Sequence, residues 1–80
     1  METIRDQIIE IIRVASKPRK PDLSDENKSL FDVGLDSLDY ASTIMELEEK
    51  YNLQIVEEDM DKLVSLKDMV SFVEARVAKS

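Results

Sequence analysis

From residue 4 onward the apolar positions recur every three or four residues. Ile4, Ile8, Ile11, Ile12 and Ala15 fall on one side of a helix, with Arg5, Asp6, Glu10 and Arg13 largely on the other. This spacing predicts an amphipathic helix over 3–15. Ile9 and Val14 widen its stripe, which suits a helix packed on more than one neighbour. The periodicity then stops. Pro18 and Pro21 end the helix and keep "SKPRKPD" extended or turned. Residues 16–35 read as a long loop, and loops of that length in small domains are often functional. Leu23, Leu30, Phe31, Val33 and Leu35 are the candidates to pin it to the core. The basic run Lys17, Arg19, Lys20 reads as a solvated part of the loop, with a dedicated binding patch as the lesser alternative.

Helical spacing returns over 37–51 (SLDYASTIMELEEKY). Leu38, Tyr40, Ala41, Ile44, Met45, Leu47 and Tyr51 occupy one broad arc, and Asp39, Ser42, Thr43, Glu46, Glu49 and Lys50 the other. Glu48 falls inside the apolar arc. Its carboxylate is expected to reach a base or water, because an unpaired buried charge is costly. Residues 57–62 (EEDMDK) are expected to form one or two helical turns, their leading acids suiting a helix N-terminus. A last helix is predicted over 66–78, with Leu66, Met69, Val70, Val73 and Val77 inward and a capping box from Ser65 to Asp68. The expected fold is all-α: a small four-helix bundle of three main helices and a short third one, with a long loop between the first two. Residues 1–80 are read as a single domain.

Composition narrows the chemistry. The 80 residues contain no cysteine and no histidine. Disulfides, thiolate or imidazole metal sites, Cys nucleophiles and Ser-His triads are therefore excluded. With four aromatic residues and no Trp, the core falls to Ile, Leu, Val and Met; one glycine and two prolines argue against a turn-rich β fold. No apolar run has the length of a membrane span, and the N-terminus lacks the apolar centre of a signal peptide, so a cytoplasmic protein without membrane insertion is expected. The net charge of −7 is unevenly spread: residues 36–61 hold nine acids against one base. Such a stretch repels nucleic acid and steers partners that carry basic patches.

That acidic stretch begins at "DVGLDSLDY", which holds the only glycine, Gly34, three residues before Ser37. Asp36 suits the N-cap of the second helix and Asp39 its first turn. Ser37 is then the first helical residue, its hydroxyl at the helix mouth, and Gly34 lets the chain turn sharply on arrival. D-S-L-D taken alone is adequately explained as a capping sequence. The functional alternative is a serine displayed for modification by a phosphate-containing group, at the positive end of the helix dipole. No neighbouring base activates Ser37, so it is a poor catalytic nucleophile and a modifying enzyme would have to supply the base.

"LFDVGLDSLDYASTIMELEEKYNLQI" resembles the centre of an acyl carrier protein, with a D-S-L bracket after a Gly-x pair and an apolar-acidic helix following. The similarity extends over nearly the whole chain, including the leading helix, the long loop and the closing helix from "SLKDMVSFV". The resemblance implies that Ser37, bracketed by Asp36 and Leu38, is the attachment point for 4′-phosphopantetheine. A phosphopantetheinyl transferase would bring that arm from coenzyme A. The arm's thiol would carry an acyl group as a thioester, which accords with the absence of cysteine here. The chain itself would be a non-catalytic, monomeric carrier. It would present its cargo to acyl-loading and acyl-transfer enzymes with basic docking patches. The matching docking positions are Asp36, Asp39, Glu48, Glu49, Glu57 and Asp61, any of which is otherwise a solvated charge. By position, Leu47, Ile55, Met60, Leu63 and Val70 would line an acyl pocket, ordinary core packing being the plainer account of each.

The sequence also departs from the family. Ser42 stands where many fatty acid carriers have glutamate, Tyr40 is bulkier than the usual residue, and Lys50 interrupts the acidic run. These changes leave the modification site intact and point away from the general fatty acid synthase enzymes as partners, towards a specialised lipid or polyketide-like pathway. Two alternatives stay open: an aminoacyl or peptidyl carrier, and an unmodified helical interaction module. Glu57, Glu58, Asp59 and Asp61 offer at most loose, solvated cation binding, and no metal site is expected.

Overall fold

The computed structural model describes residues 2–78. Its first helix starts where Thr3 and Asp6 satisfy each other: the Thr3 hydroxyl accepts the Asp6 N–H, and the Asp6 carboxylate accepts the Thr3 N–H. This reciprocal cap opens α1 (Ile4–Ser16). At the far end the buried Ser16 hydroxyl donates back to the Ile12 carbonyl at 2.7 Å. Ile8 and Ile12 are fully buried, with Ile4, Ile9 and Ile11 packed around them. Val14 lies outside the stripe and faces solvent, a correction to the wider face expected from sequence. Two residues past Ile12, it projects to the opposite side of the helix.

Three further helices follow, α2 (Ser37–Tyr51), α3 (Glu57–Met60) and α4 (Leu66–Ala78), so the all-helical bundle with a short third helix is as expected. Asn52 ends α2 in the left-handed conformation (φ 51°), a position that asparagine tolerates better than most residues. At the start of α4 the Ser65 hydroxyl accepts the Asp68 N–H, and the Asp68 carboxylate accepts the N–H groups of Val64 and Ser65. Helix α1 packs on both α2 and α4. Leu47, Leu63, Leu66, Met69 and Val73 complete the core with the α1 isoleucines. Each such side chain contributes about 1.5–3 kcal/mol of burial against the chain's conformational entropy. Val77, in the last turn of α4, is exposed where the sequence pattern turns it inward.

The long loop is held rather than loose. Leu23, Leu30 and Leu35 are buried as expected and Val33 packs against the core, while Phe31 stays half outside. The Leu30 N–H donates to the Val64 carbonyl at 2.9 Å, and the Lys67 N–H to the Glu26 carbonyl at 3.0 Å. Arg5 pairs with Glu26, joining the loop to α1 as well. The loop therefore delivers residue 36 from a fixed frame.

Candidate functional site

The site begins at a closed turn. The Gly34 N–H donates to the Phe31 carbonyl at 3.3 Å and the Leu35 N–H to the Leu30 carbonyl at 3.1 Å. Gly34 has φ 117°, a conformation side chains oppose, yet an added Cβ would meet nothing within 4 Å. Backbone freedom, not crowding, selects glycine here. Leu35 then anchors in the core and Asp36 caps α2. The Asp36 carboxylate accepts the Asp39 N–H at 2.9 Å, and the Asp39 carboxylate accepts the Asp36 N–H at 3.3 Å. Ser37 follows as the first residue of α2, exposed, its hydroxyl bound to nothing among the described residues. A phosphodiester at this oxygen would lie at the positive end of the fifteen-residue α2, with open solvent beside it. The residues present therefore fit the attachment of a phosphate-linked arm.

The bracket around Ser37 carries a cation that the sequence pattern leaves in the solvated loop. Arg19 places Nη2 3.0 Å from Asp36 Oδ2, and its Nη1 binds the Asp39 carboxylate. The Asp39 N–H, and after it the Arg19 guanidinium, holds the Asp36 carboxyl below its usual range. Both acids are thus engaged by the helix cap and by Arg19 rather than by the Ser37 hydroxyl.

The expected docking acids divide. Asp36, Glu49, Glu57 and Asp61 are exposed. Asp39 differs from these: only 9% exposed, it is committed to the Asp36 N–H and to Arg19. Glu48 is half-buried, and its carboxylate accepts the Ile55 N–H at 3.0 Å. It closes the turn after α2. Among the described residues no group of acids is arranged to hold a metal ion.

The apolar arc of α2 is also rearranged. Tyr40, Ile44 and Leu47 point to the core, with Tyr51 half-buried beside them, and Thr43 joins them fully buried. The Thr43 hydroxyl donates to the Asp39 carbonyl at 2.8 Å, which satisfies it inside the bundle. Leu38 and Met45 are 75% and 59% exposed, with Ala41 exposed between them. The arc read from sequence is too wide for one buried face, and Leu38, Ala41 and Met45 are left on the surface. Periodicity misses these residues as surface features because it assigns every apolar side chain at helical spacing inward.

On the Tyr40 side of α2 is an open depression of about 380 Å³, lined by Phe31, Tyr40, Glu57, Met60, Asp61, Leu63 and Val64. Two of the five expected pocket residues, Met60 and Leu63, line it. Leu47 and Ile55 are core residues and Val70 is half-buried; none of the three lines the depression. Tyr40, one turn after Ser37, forms a wall: its ring lies 5.3 Å from that of Phe31, tilted by 33°.

Comparison with known proteins bears on this geometry. The profile of the family described as "Phosphopantetheine attachment site" matches residues 2–73. An acyl carrier protein of Campylobacter hominis is 38% identical over 73 residues, covering 91% of this chain and 87% of the relative. That of Campylobacter concisus is also 38% identical, over 91% and 90% of the two chains. One from Chloroherpeton thalassium is 32% identical, over 91% of each. No solved structure matches the chain significantly. A bundle whose loop and first-turn cap display one unbound serine, together with these matches over most of the chain, places the protein in the acyl carrier protein family, whose members are non-catalytic bearers of 4′-phosphopantetheine.

Proposed function

We propose that Ser37 is the attachment point of the arm and that the chain carries acyl intermediates of fatty acid or specialised lipid synthesis between partner enzymes in the cytoplasm. The observation that carries this reading is the Ser37 hydroxyl itself: exposed, unbound among the described residues, and set by the Asp36–Asp39 cap at the start of α2. When attached, the arm supplies a terminal thiol for thioester linkage. The chain's own residues do the rest. Gly34 and Leu35 fix where the serine stands. Asp36 and Asp39 hold the first turn of α2 rigid. The exposed acids Asp36, Glu49, Glu57 and Asp61 steer basic surfaces towards it. Leu38 and Met45 supply apolar area that those surfaces desolvate on contact. The depression between Phe31, Tyr40 and Met60 gives the nearer part of an acyl chain an apolar wall, and Met60 is flexible enough to adapt to it.

The test is the intact mass of the protein after incubation with coenzyme A and a broad-specificity phosphopantetheinyl transferase, with Ser37→Ala alongside. A single phosphopantetheine increment on the wild type and none on the folded variant is the expected result. No increment on well-folded wild type would reduce D-S-L-D to a helix cap.

A further inference from the structure

The Arg19 contacts bear on how enzymes reach Ser37, and their significance rests on Ser37 being the attachment point. Asp36 is the exposed acid adjacent to Ser37, so it is the carboxylate a basic enzyme meets first when it approaches the hydroxyl. It is already engaged. Arg19 crosses from the loop and binds Asp36 at 3.0 Å while also holding Asp39. Asp39 is anchored in the first turn of α2 and barely accessible, which leaves the Asp36 half of the contact as the part a partner can replace. The arginine and Asp36 are each half exposed, so their pairing is modest in strength and open to competition.

We propose that Arg19 is an internal competitor for Asp36, a charge latch that basic partner enzymes must displace to reach Ser37 and that sets how strongly they bind. An enzyme whose cation outcompetes Arg19 for the Asp36 carboxylate docks productively. One with a weaker or misplaced cation is refused. Arg19 touches neither the reacting hydroxyl nor, in this role, the arm; it acts through Asp36. On release it is free to extend into solvent, since its side chain is already half exposed. The raised affinity of the guanidinium for its proton, due first to its hydrogen bond with Asp36, reflects the same contact.

The test compares steady-state phosphopantetheinylation of the wild type, Arg19→Gln, Arg19→Lys and Lys20→Gln. Arg19→Gln and Lys20→Gln remove the same charge, but only the first removes the latch. Arg19→Gln is expected to lower KM for the carrier by about two- to fivefold with kcat unchanged, the range an exposed ion pair permits. Arg19→Lys should stay nearer the wild type, and Lys20→Gln should match it. An unchanged or raised KM in Arg19→Gln, a loss confined to kcat, or an equal fall in Lys20→Gln overturns the latch. A wild type that is never modified overturns the carrier reading itself, which is a separate outcome. A second measurement needs no variant: NMR exchange of the Arg19 guanidinium protons with solvent in the wild type. Exchange should quicken when the transferase binds, and unchanged or slower exchange counts against displacement.

Discussion

The Tyr40 hydroxyl lies 2.9 Å from the Leu63 carbonyl and ties the first turns of α2 to the segment after α3. The Met60 carbonyl is within reach too, at 3.0 Å, so one proton is shared between two acceptors on the far side of the depression. Helix α3 has only four residues and none is fully buried; besides this tie it is held by the Arg76–Asp59 pair and by Met60 against the core. Tyr40→Phe keeps the ring and removes the tie. It should lower unfolding free energy by about 1–2 kcal/mol in a denaturant titration. Burial, and secondarily the charges of Asp61 and Asp68, raise the Tyr40 phenol above 10.0. The neutral phenol therefore contributes stability below that pH, and the contribution is lost as pH rises through the folded-state value. Tyr40→Phe should lack this alkaline limb, and a variant with the wild-type slope would refute the assignment.

Acid should expose the Asp36 cap in the same way with opposite sign. Its folded-state carboxyl is lowered from 3.8, first by the Asp39 N–H and then by Arg19. The stability this brings is present above 3.8 and disappears as pH falls through the lower folded-state value. Thermal unfolding followed between about pH 5 and pH 2 should show a steeper loss in wild type than in Asp36→Asn, because asparagine still caps the helix but does not titrate there. Parallel curves would mean that the cap carries no charge-dependent part.

Much of the fold and the site is legible in the sequence because the governing signals are local. D-S-L-D states its own N-cap, Gly34 its turn, and the α1 isoleucines their shared face; each rests on residues within one or two turns. Arg19 reads as solvated loop because its partners lie 17 and 20 residues ahead, and no spacing rule reports a contact made by folding the loop back. Residue type assigns Asp39 and Thr43 to the polar face. Inside the bundle they are acceptable because a backbone N–H, a guanidinium and a backbone carbonyl satisfy them. The Glu48 to Ile55 bond is of the same kind, a side chain satisfied by backbone that sequence alone does not place. Leu47 and Ile55 are buried and do not line the depression, because a sequence position says which element a side chain belongs to and not how near the surface it ends.

The divided apolar arc of α2 gives the sharpest separation between packing and function. Leu47 is wholly buried on one side of the helix, whereas Leu38 and Met45 stand in solvent on another, the first of them adjacent to Ser37. Leu47→Ala should cost about 2–5 kcal/mol of stability, as truncation in a filled core does. Leu38→Ala and Met45→Ala should each stay within about 0.5 kcal/mol of wild type, since they open no cavity. If Leu38 and Met45 form the dry centre of a docking patch ringed by Asp36 and Glu49, their loss should fall on binding instead. KM for transfer of the arm onto Ser37 should rise about fivefold or more, the effect of removing over 1 kcal/mol at an interface centre. Denaturant titrations and transfer kinetics on the same three variants check both halves. Wild-type KM in Leu38→Ala and Met45→Ala would show that these side chains are idle surface and would leave the acids alone to guide the partner.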